Sequence, residues 1–202
     1  QCDNVTTLDY EKAGSNGKCG RGGSCVLTSV SMALRNLGIE SPDSSAQYEV
    51  ALDKQVRAKI GKSGLWTKIP GNSKYYKFQS PEWWMKWGTQ YIDSRLTGSG
   101  ITLGKKNKAW WKKNVDEKHL AKGHGVVLSL GGHVVRLQGV TDKGLVVDDP
   151  YANTQLVGSS KRKYPNKNSP EVNGAVYGDD NLLPWASVEK FSFSYGYAYW
   201  LK

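Results

Sequence analysis

A thiol, an imidazole and a carboxylate are the side chains of this sequence that could do chemistry together: Cys25, His133 and Asp149. A thiolate attacks a carbonyl carbon, an imidazole takes and returns the proton, and a carboxylate holds the ring in the needed tautomer. Cys25 stands where Gly17-Lys18-Cys19-Gly20-Arg21-Gly22-Gly23-Ser24 runs into Val26, Leu27, Val30, Ala33, Leu34 and Leu37, apolar residues recurring at helical intervals. That periodicity predicts a helix with one buried face, stopped by Gly38. Cys25 then lies at or one residue inside the helix N-terminus, where unpaired N–H groups and the helix dipole favour an anion. Gly22 and Gly23 let the backbone approach whatever lies over the sulfur. The alternative for the same residue is a small buried hydrophobe, the usual role of a cysteine beside an apolar helix.

Three histidines are available as partners. His119 falls on a charged helical stretch and suits a solvated surface, while His124 follows Gly123 at a strand start. His133 follows Gly131-Gly132 and opens Val134-Val135-Arg136-Leu137, the small residues leaving room for a substrate or a facing helix. One hairpin later comes Val146-Val147-Asp148-Asp149-Pro150, joined through the turn Thr141-Asp142-Lys143-Gly144. His133 and Asp149 are sixteen positions apart and nearly symmetric about that turn. An odd loop, for example three residues with Gly144 left-handed, puts both on one face of the sheet, whereas a bulge or another loop length changes the relation. Asp148 then points to the other face in a structural role. Taken singly, His133 reads equally well as a satisfied strand histidine, and Asp149 as a turn residue bonding its own backbone before Pro150. The joint order of cysteine on a helix, histidine on a strand and aspartate on the next strand favours chemistry.

The elements that must position these residues follow from pattern. Residues 1–24 read as a turn-rich lead-in. Ser41-Pro42-Asp43 predicts the start of a second helix through Ala46, Val50, Ala51, Val56 and Ile60, ending at Gly61. Residues 62–79 read as loop, and Ser80-Pro81 as the start of a helix carrying Trp83, Trp84, Trp87, Tyr91 and Ile92. Residues 97–108 read as an exposed Gly/Lys-rich segment, followed by a short helix from Asp116 to Lys122 that ends at Gly123. The character then changes to β-branched runs at 125–130, 134–137 and 145–147, separated by glycines and hence strands. Residues 158–181 read as a long loop and Phe191 to Leu201 as a closing strand. Helices first and an antiparallel sheet last make the expected class α+β, in one domain over 1–202 with a helical middle at about 40–122.

Composition narrows the partners. Twenty-eight Lys+Arg against eighteen Asp+Glu gives a net charge of +10, which favours polyanions such as nucleic acid, anionic lipid or a bacterial wall without choosing among them. No apolar run reaches the length of a membrane span. The chain opens on Gln1-Cys2 with no signal segment, as a mature product or excised domain would. Three cysteines suit one disulfide plus one working thiol, with Cys2 and Cys19 the natural pair. Such a bond implies an oxidising, secreted or periplasmic location. No metal-ligand spacing appears, and no cofactor is implied.

The segment Cys25-Val26-Leu27-Thr28-Ser29-Val30-Ser31-Met32-Ala33-Leu34 resembles the nucleophile helix of C39-like cysteine peptidases, in the papain-like group. Gly132-His133-Val134-Val135, with Gly139-Val140 and then Val147-Asp148-Asp149-Pro150, is similar to that family's Gly-His strand and Asp-Pro strand end. The aromatic stretch Trp185 to Tyr195, with Phe191, resembles its closing segment. The resemblance covers about half the chain, and residues 40–120 are longer than the family's usual middle. It implies a papain-like fold with Cys25 as nucleophile, His133 as base and acid, and Asp149 as the orienting residue. Two departures stand out. The family commonly has Cys-Gly-Pro at the nucleophile, which makes Cys19-Gly20 a rival to Cys25-Val26-Leu27. Its upstream oxyanion Gln is also missing from residues 2–24, so Asn16, Ser24 or the Cys25 N–H would have to serve.

The expected activity is amide hydrolysis through an acyl-enzyme, on a peptide or peptidoglycan substrate. Trp83, Trp84 and Trp110, interleaved with lysines, and Gly132 are candidate substrate-binding residues, although core packing is the commoner use of such tryptophans. Two alternatives remain open: a leader- or protein-processing cysteine peptidase, and a non-catalytic basic module binding cell wall or nucleic acid. For the last, Lys105-Lys106-Asn107-Lys108, Lys112-Lys113 and Lys161-Arg162-Lys163 give charge, but no recognised nucleic-acid motif is present.

Overall fold

The computed structural model describes residues 24–46, 48–60, 66–68, 75–77, 85–86, 88–130, 133–150, 180–189 and 193–202. Helix α1 (Ser24–Asn36) starts with Cys25 as its second residue. Its predicted apolar stripe is buried: Val26, Leu27, Val30, Ala33 and Leu34 are all at most 2% exposed. Gly38, at φ 73°, ends it in a left-handed turn. The Gly38 N–H donates to Arg35 O and the Ile39 N–H to Leu34 O, the paired bonds by which a glycine closes a helix C-terminus. Helix α2 (Tyr48–Ile60) packs beside it through Val50, Leu52 and Val56. It begins later than Ser41-Pro42-Asp43 suggests, because Asp43 Oδ1 accepts from the N–H and hydroxyl of Ser45 and closes a local turn instead.

Six antiparallel strands form one sheet in the order β3-β8-β4-β5-β6-β7. They are β3 (Leu96–Ile101), β4 (Gly125–Ser129), β5 (Val134–Val140), β6 (Gly144–Asp148), β7 (Asn181–Pro184) and β8 (Gly196–Leu201). A separate two-stranded ribbon pairs β1 (Trp66–Lys68) with β2 (Tyr75–Lys77). Helices together with an antiparallel sheet make the class α+β. The three strands β1, β2 and β3 correct the expectations of a loop at 62–79, an exposed coil at 97–108 and a helical middle. Glycines hide β3 from pattern reading. Gly98 is needed because a Cβ there would sit 2.4 Å from the Tyr197 ring and 2.5 Å from Ala198 O on β8. The helix expected at Asp116 begins earlier, at α3 (Lys108–Trp111), where the Asn107 side chain accepts from the Trp110 N–H. A wider turn over Lys112–Asp116 continues it. Gly123, at φ 74°, closes the region as expected. Of the helix expected from Ser80, Met85 and Lys86 are helical and Gly88–Tyr91 form a tighter 3-10 turn, while its start lies outside the described residues. The closing strand begins at Gly196, later than Phe191, most of the loop at 158–181 lies outside the described residues, and Asn181 already belongs to β7.

Apolar side chains fill both faces of the sheet. On one, α1 and α2 cover Val127, Val134 and Tyr199; on the other, Trp111 and Val115 cover Val126, Leu128, Val135, Leu137 and Ala198. Helix α1 comes closest at Gly125, where a Cβ would lie 2.6 Å from the Ala33 carbonyl oxygen. Only glycine allows that approach.

Candidate active site

The two strands that carry the histidine and the aspartate are joined by the predicted turn. The Thr141 N–H donates to Gly144 O at 2.9 Å, and Val140 pairs with Leu145. Four residues between paired positions make an even connection, not the odd one expected, and an even hairpin alone would send His133 and Asp149 to opposite faces. The register shifts between Leu137 and Gly139, with Leu137 opposite Val147 and Gly139 opposite Val146, so Gln138 is a bulged residue. One extra residue restores the parity. Leu137 and Val140, three apart, accordingly enter the same apolar cluster. The ladder ends at the pair Arg136 and Asp148, and His133 and Asp149 lie just beyond the ends of β5 and β6.

The consequence is a direct contact. His133 Nε2 lies 2.5 Å from Asp149 Oδ1, and both residues are 1% exposed. An ionised carboxylate only accepts, so Nε2 carries the hydrogen. The Cys25 side chain lies close enough to the ring to favour its charged form. With Nε2 turned to Asp149, Nδ1 is the ring nitrogen left to exchange a proton with a thiol. Burial pulls the His133 imidazole down, but its bonds to Asp149 and Cys25 and their charges outweigh it, and the balance lies above the ordinary value of 6.5. Cys25 is 4% exposed and packs in the apolar cluster that includes Val26, Leu27 and Val30 of α1.

Asp148 does take a structural position. Its carboxylate forms an ion pair with Arg136, Nε to Oδ2 at 2.6 Å, and accepts from the Gln138 side-chain amide and from the Asp180 N–H at 3.3 Å. Arg136 stands directly opposite it in the register, so one buried charge clamps β5 to β6 beside the bulge. Asp180, at φ 51°, is held in its left-handed conformation partly by that bond. Gln138 is the residue that sequence reasoning missed. Its signal is the sixteen-residue spacing itself, which fits a tight even hairpin only if one residue is extruded.

The remaining candidates divide. Asn16, Cys19, Trp83, Trp84 and Gly132, and the proposed Cys2 partner of Cys19, lie outside the described residues. Ser24 is the first residue of α1, and its side chain lies outside them too. Trp110 is half-buried, edge-on to Trp111 at 5.7 Å with Lys106 Nζ 5.1 Å from its ring, while Trp111 itself is core. His119 and His124 are not brought to the thiol. Their Nδ1 atoms lie 3.2 Å apart, and His124 stacks on Trp200 at 4.7 Å. Both are held below the ordinary histidine value, mainly by burial, with Lys122 adding to it in each case.

No curated protein and no solved structure matches the chain. The sequence model of the Peptidase_C39 like family does, over residues 6–175, a span that contains Cys25, His133, Gln138 and Asp149. By that match over most of its length, the chain belongs to the Peptidase_C39-like family of cysteine peptidases.

Proposed function

We propose that this chain is a hydrolase of papain-like architecture that cleaves an amide bond with a Cys25–His133–Asp149 triad, and that its substrate is peptidoglycan. The observation that carries the reading is the buried His133–Asp149 pair, Nε2 to Oδ1 at 2.5 Å, with the Cys25 side chain close enough to bias the ring toward its charged form. His133 Nδ1 takes the thiol proton, and the sulfur attacks the amide carbon. The tetrahedral intermediate expels the amine, which leaves with the proton returned from Nδ1. Water, deprotonated by the same nitrogen, then attacks the thioester and frees the acid and the thiol. Asp149 steadies the imidazolium formed in each half. The Cys25 N–H, in the first turn of α1, is the donor available to the oxyanion.

The wall as substrate is supported by the net charge of +10 and by the aromatic and basic surface around Trp110 and Lys106. It fits a secreted or periplasmic lytic domain acting as a single unit. Digestion of purified peptidoglycan, with new amine and carboxyl termini identified by mass spectrometry, tests it. Release of defined termini by the wild type and none by Cys25→Ala is the expected result. Equal release by Cys25→Ala overturns the triad. Hydrolysis of peptides by an enzyme that leaves the wall intact overturns the substrate and favours a processing peptidase.

A further inference from the structure

We infer that Ser29 is a positioning residue of this site, substituting for the backbone donor that Pro150 lacks and thereby fixing the nucleophile helix to the histidine strand. The inference rests on the triad reading above and concerns a residue that takes no part in the proton relay.

The argument begins with the strand ladder. The Leu130 N–H donates to His133 O, so the His133 carbonyl faces β4. Backbone groups alternate along a strand, and the carbonyl of Val134 therefore faces β6. Carried two positions past the pair Arg136 and Asp148, the register sets Pro150 opposite Val134. A proline has no N–H to give. Val134 is 2% exposed, so its carbonyl would be left buried without a ladder donor, at a substantial desolvation cost. The hydroxyl of Ser29 donates to that oxygen at 2.9 Å.

The donor comes from α1. Ser29 is fully buried and follows Cys25 by one helical turn, which places both on the same side of the helix. Its acceptor belongs to the residue directly after His133. A single hydrogen bond thus joins the turn that carries the sulfur to the backbone that carries the imidazole. Further along the helix, Ala33 rests on Gly125 and Met32 O lies 3.5 Å from Arg136 Nη1. Those contacts set the spacing of helix and sheet, whereas Ser29 sets the slide of Cys25 relative to His133. Displacement of a nucleophile by about 1 Å costs up to about a hundredfold in rate.

The test is the rate of Cys25 alkylation by iodoacetamide as a function of pH, read beside peptidoglycan hydrolysis and folded-state circular dichroism. Ser29→Ala should remain folded yet alkylate on the order of tenfold more slowly near neutral pH, with a profile displaced toward that of His133→Ala. Ser29→Thr, which keeps the hydroxyl, should return most of the rate. A folded Ser29→Ala with the wild-type rate and profile overturns the inference. Should Ser29→Ala fail to fold, the double variant Ser29→Ala/Pro150→Ala supplies a backbone N–H to Val134 without restoring the link to α1. Slow alkylation in that protein supports the role, and wild-type alkylation overturns it. His133→Ala separates the two levels: if it alkylates with the wild-type profile, the triad itself is wrong and Ser29 has nothing to position.

Discussion

His133 is pulled in two directions by its surroundings. Burial disfavours its charged form, yet the balance of its bonds to Asp149 and Cys25 lies on the side of charge, raising its pKa above the unfolded value. A raised folded value means that the group stabilises the fold below the unfolded value of 6.5, and that this stabilisation is lost as pH rises through the folded value. His119 and His124 have the opposite sign. Their lowered values stabilise the fold above 6.5 and lose that contribution on acidification. Two variants should therefore diverge when urea midpoints are compared at about pH 7.5 and about pH 5.5. Asp149→Ala removes what favours the charged ring and leaves burial to oppose it, so its deficit against wild type should widen at the acid pH. His119→Phe/His124→Phe removes the groups that resist protonation and should lose less stability on acidification than the wild type does. A deficit for Asp149→Ala that shrinks at acid pH would contradict the sign of the His133 shift.

Elements matter here through how closely they can approach, and two glycines separate geometry from conformation. At Gly38 a Cβ would meet nothing within 4 Å, but φ is 73°, so Gly38→Ala should cost about 1–2 kcal/mol of backbone strain and leave activity intact. At Gly125 the conformation is ordinary, but a Cβ would sit 2.6 Å from Ala33 O. Gly125→Ala must lift α1 off the sheet, costing about 1–3 kcal/mol and, since α1 carries Cys25, activity as well. Chemical denaturation and wall hydrolysis on both variants distinguish the two effects. The contrast also shows which elements could be read from sequence. The periodicity of Val26 to Leu34, the β-branched runs and the Gly38 stop carry their own local signal, and α1, β4, β5 and β6 follow from it. The edge strand β3 does not, because Gly98 is chosen by the neighbouring β8 and not by local propensity. The bulge at Gln138 is likewise a tertiary decision, taken so that Leu137, Val140, Leu145 and Val147 share one apolar face. Sequence order was enough to pair His133 with Asp149, but the connection between their strands is even and carries an extruded residue, where an odd loop was the expected route.

At the scale of the whole molecule, charge and chemistry are separate variables. The net charge of +10 acts over distances far longer than the contacts of the buried triad, and exposed pairs are screened beyond about 10 Å at 0.1 M salt. Part of the basic surface is already neutralised locally: Lys108 pairs with Asp142 at 2.8 Å, and Lys112 with Asp116. Lys105, Lys113 and Lys122 are exposed on the same stretch, close in sequence to Trp110. Under the proposed reading they draw the enzyme to an anionic wall and do nothing to the bond-breaking step. Raising salt from about 0.05 M to about 0.5 M should then slow hydrolysis of intact wall severalfold while leaving Cys25 alkylation unchanged. The triple variant Lys105→Gln/Lys113→Gln/Lys122→Gln should start slower on the wall and show a shallower salt dependence, with the same alkylation rate. Soluble peptides released from the wall should be cleaved equally by both proteins at either salt. If the triple variant keeps the full wild-type salt slope, the attraction resides elsewhere on the surface. If salt slows alkylation and wall hydrolysis in parallel, the charge acts on the site itself, and the separation of encounter from chemistry fails.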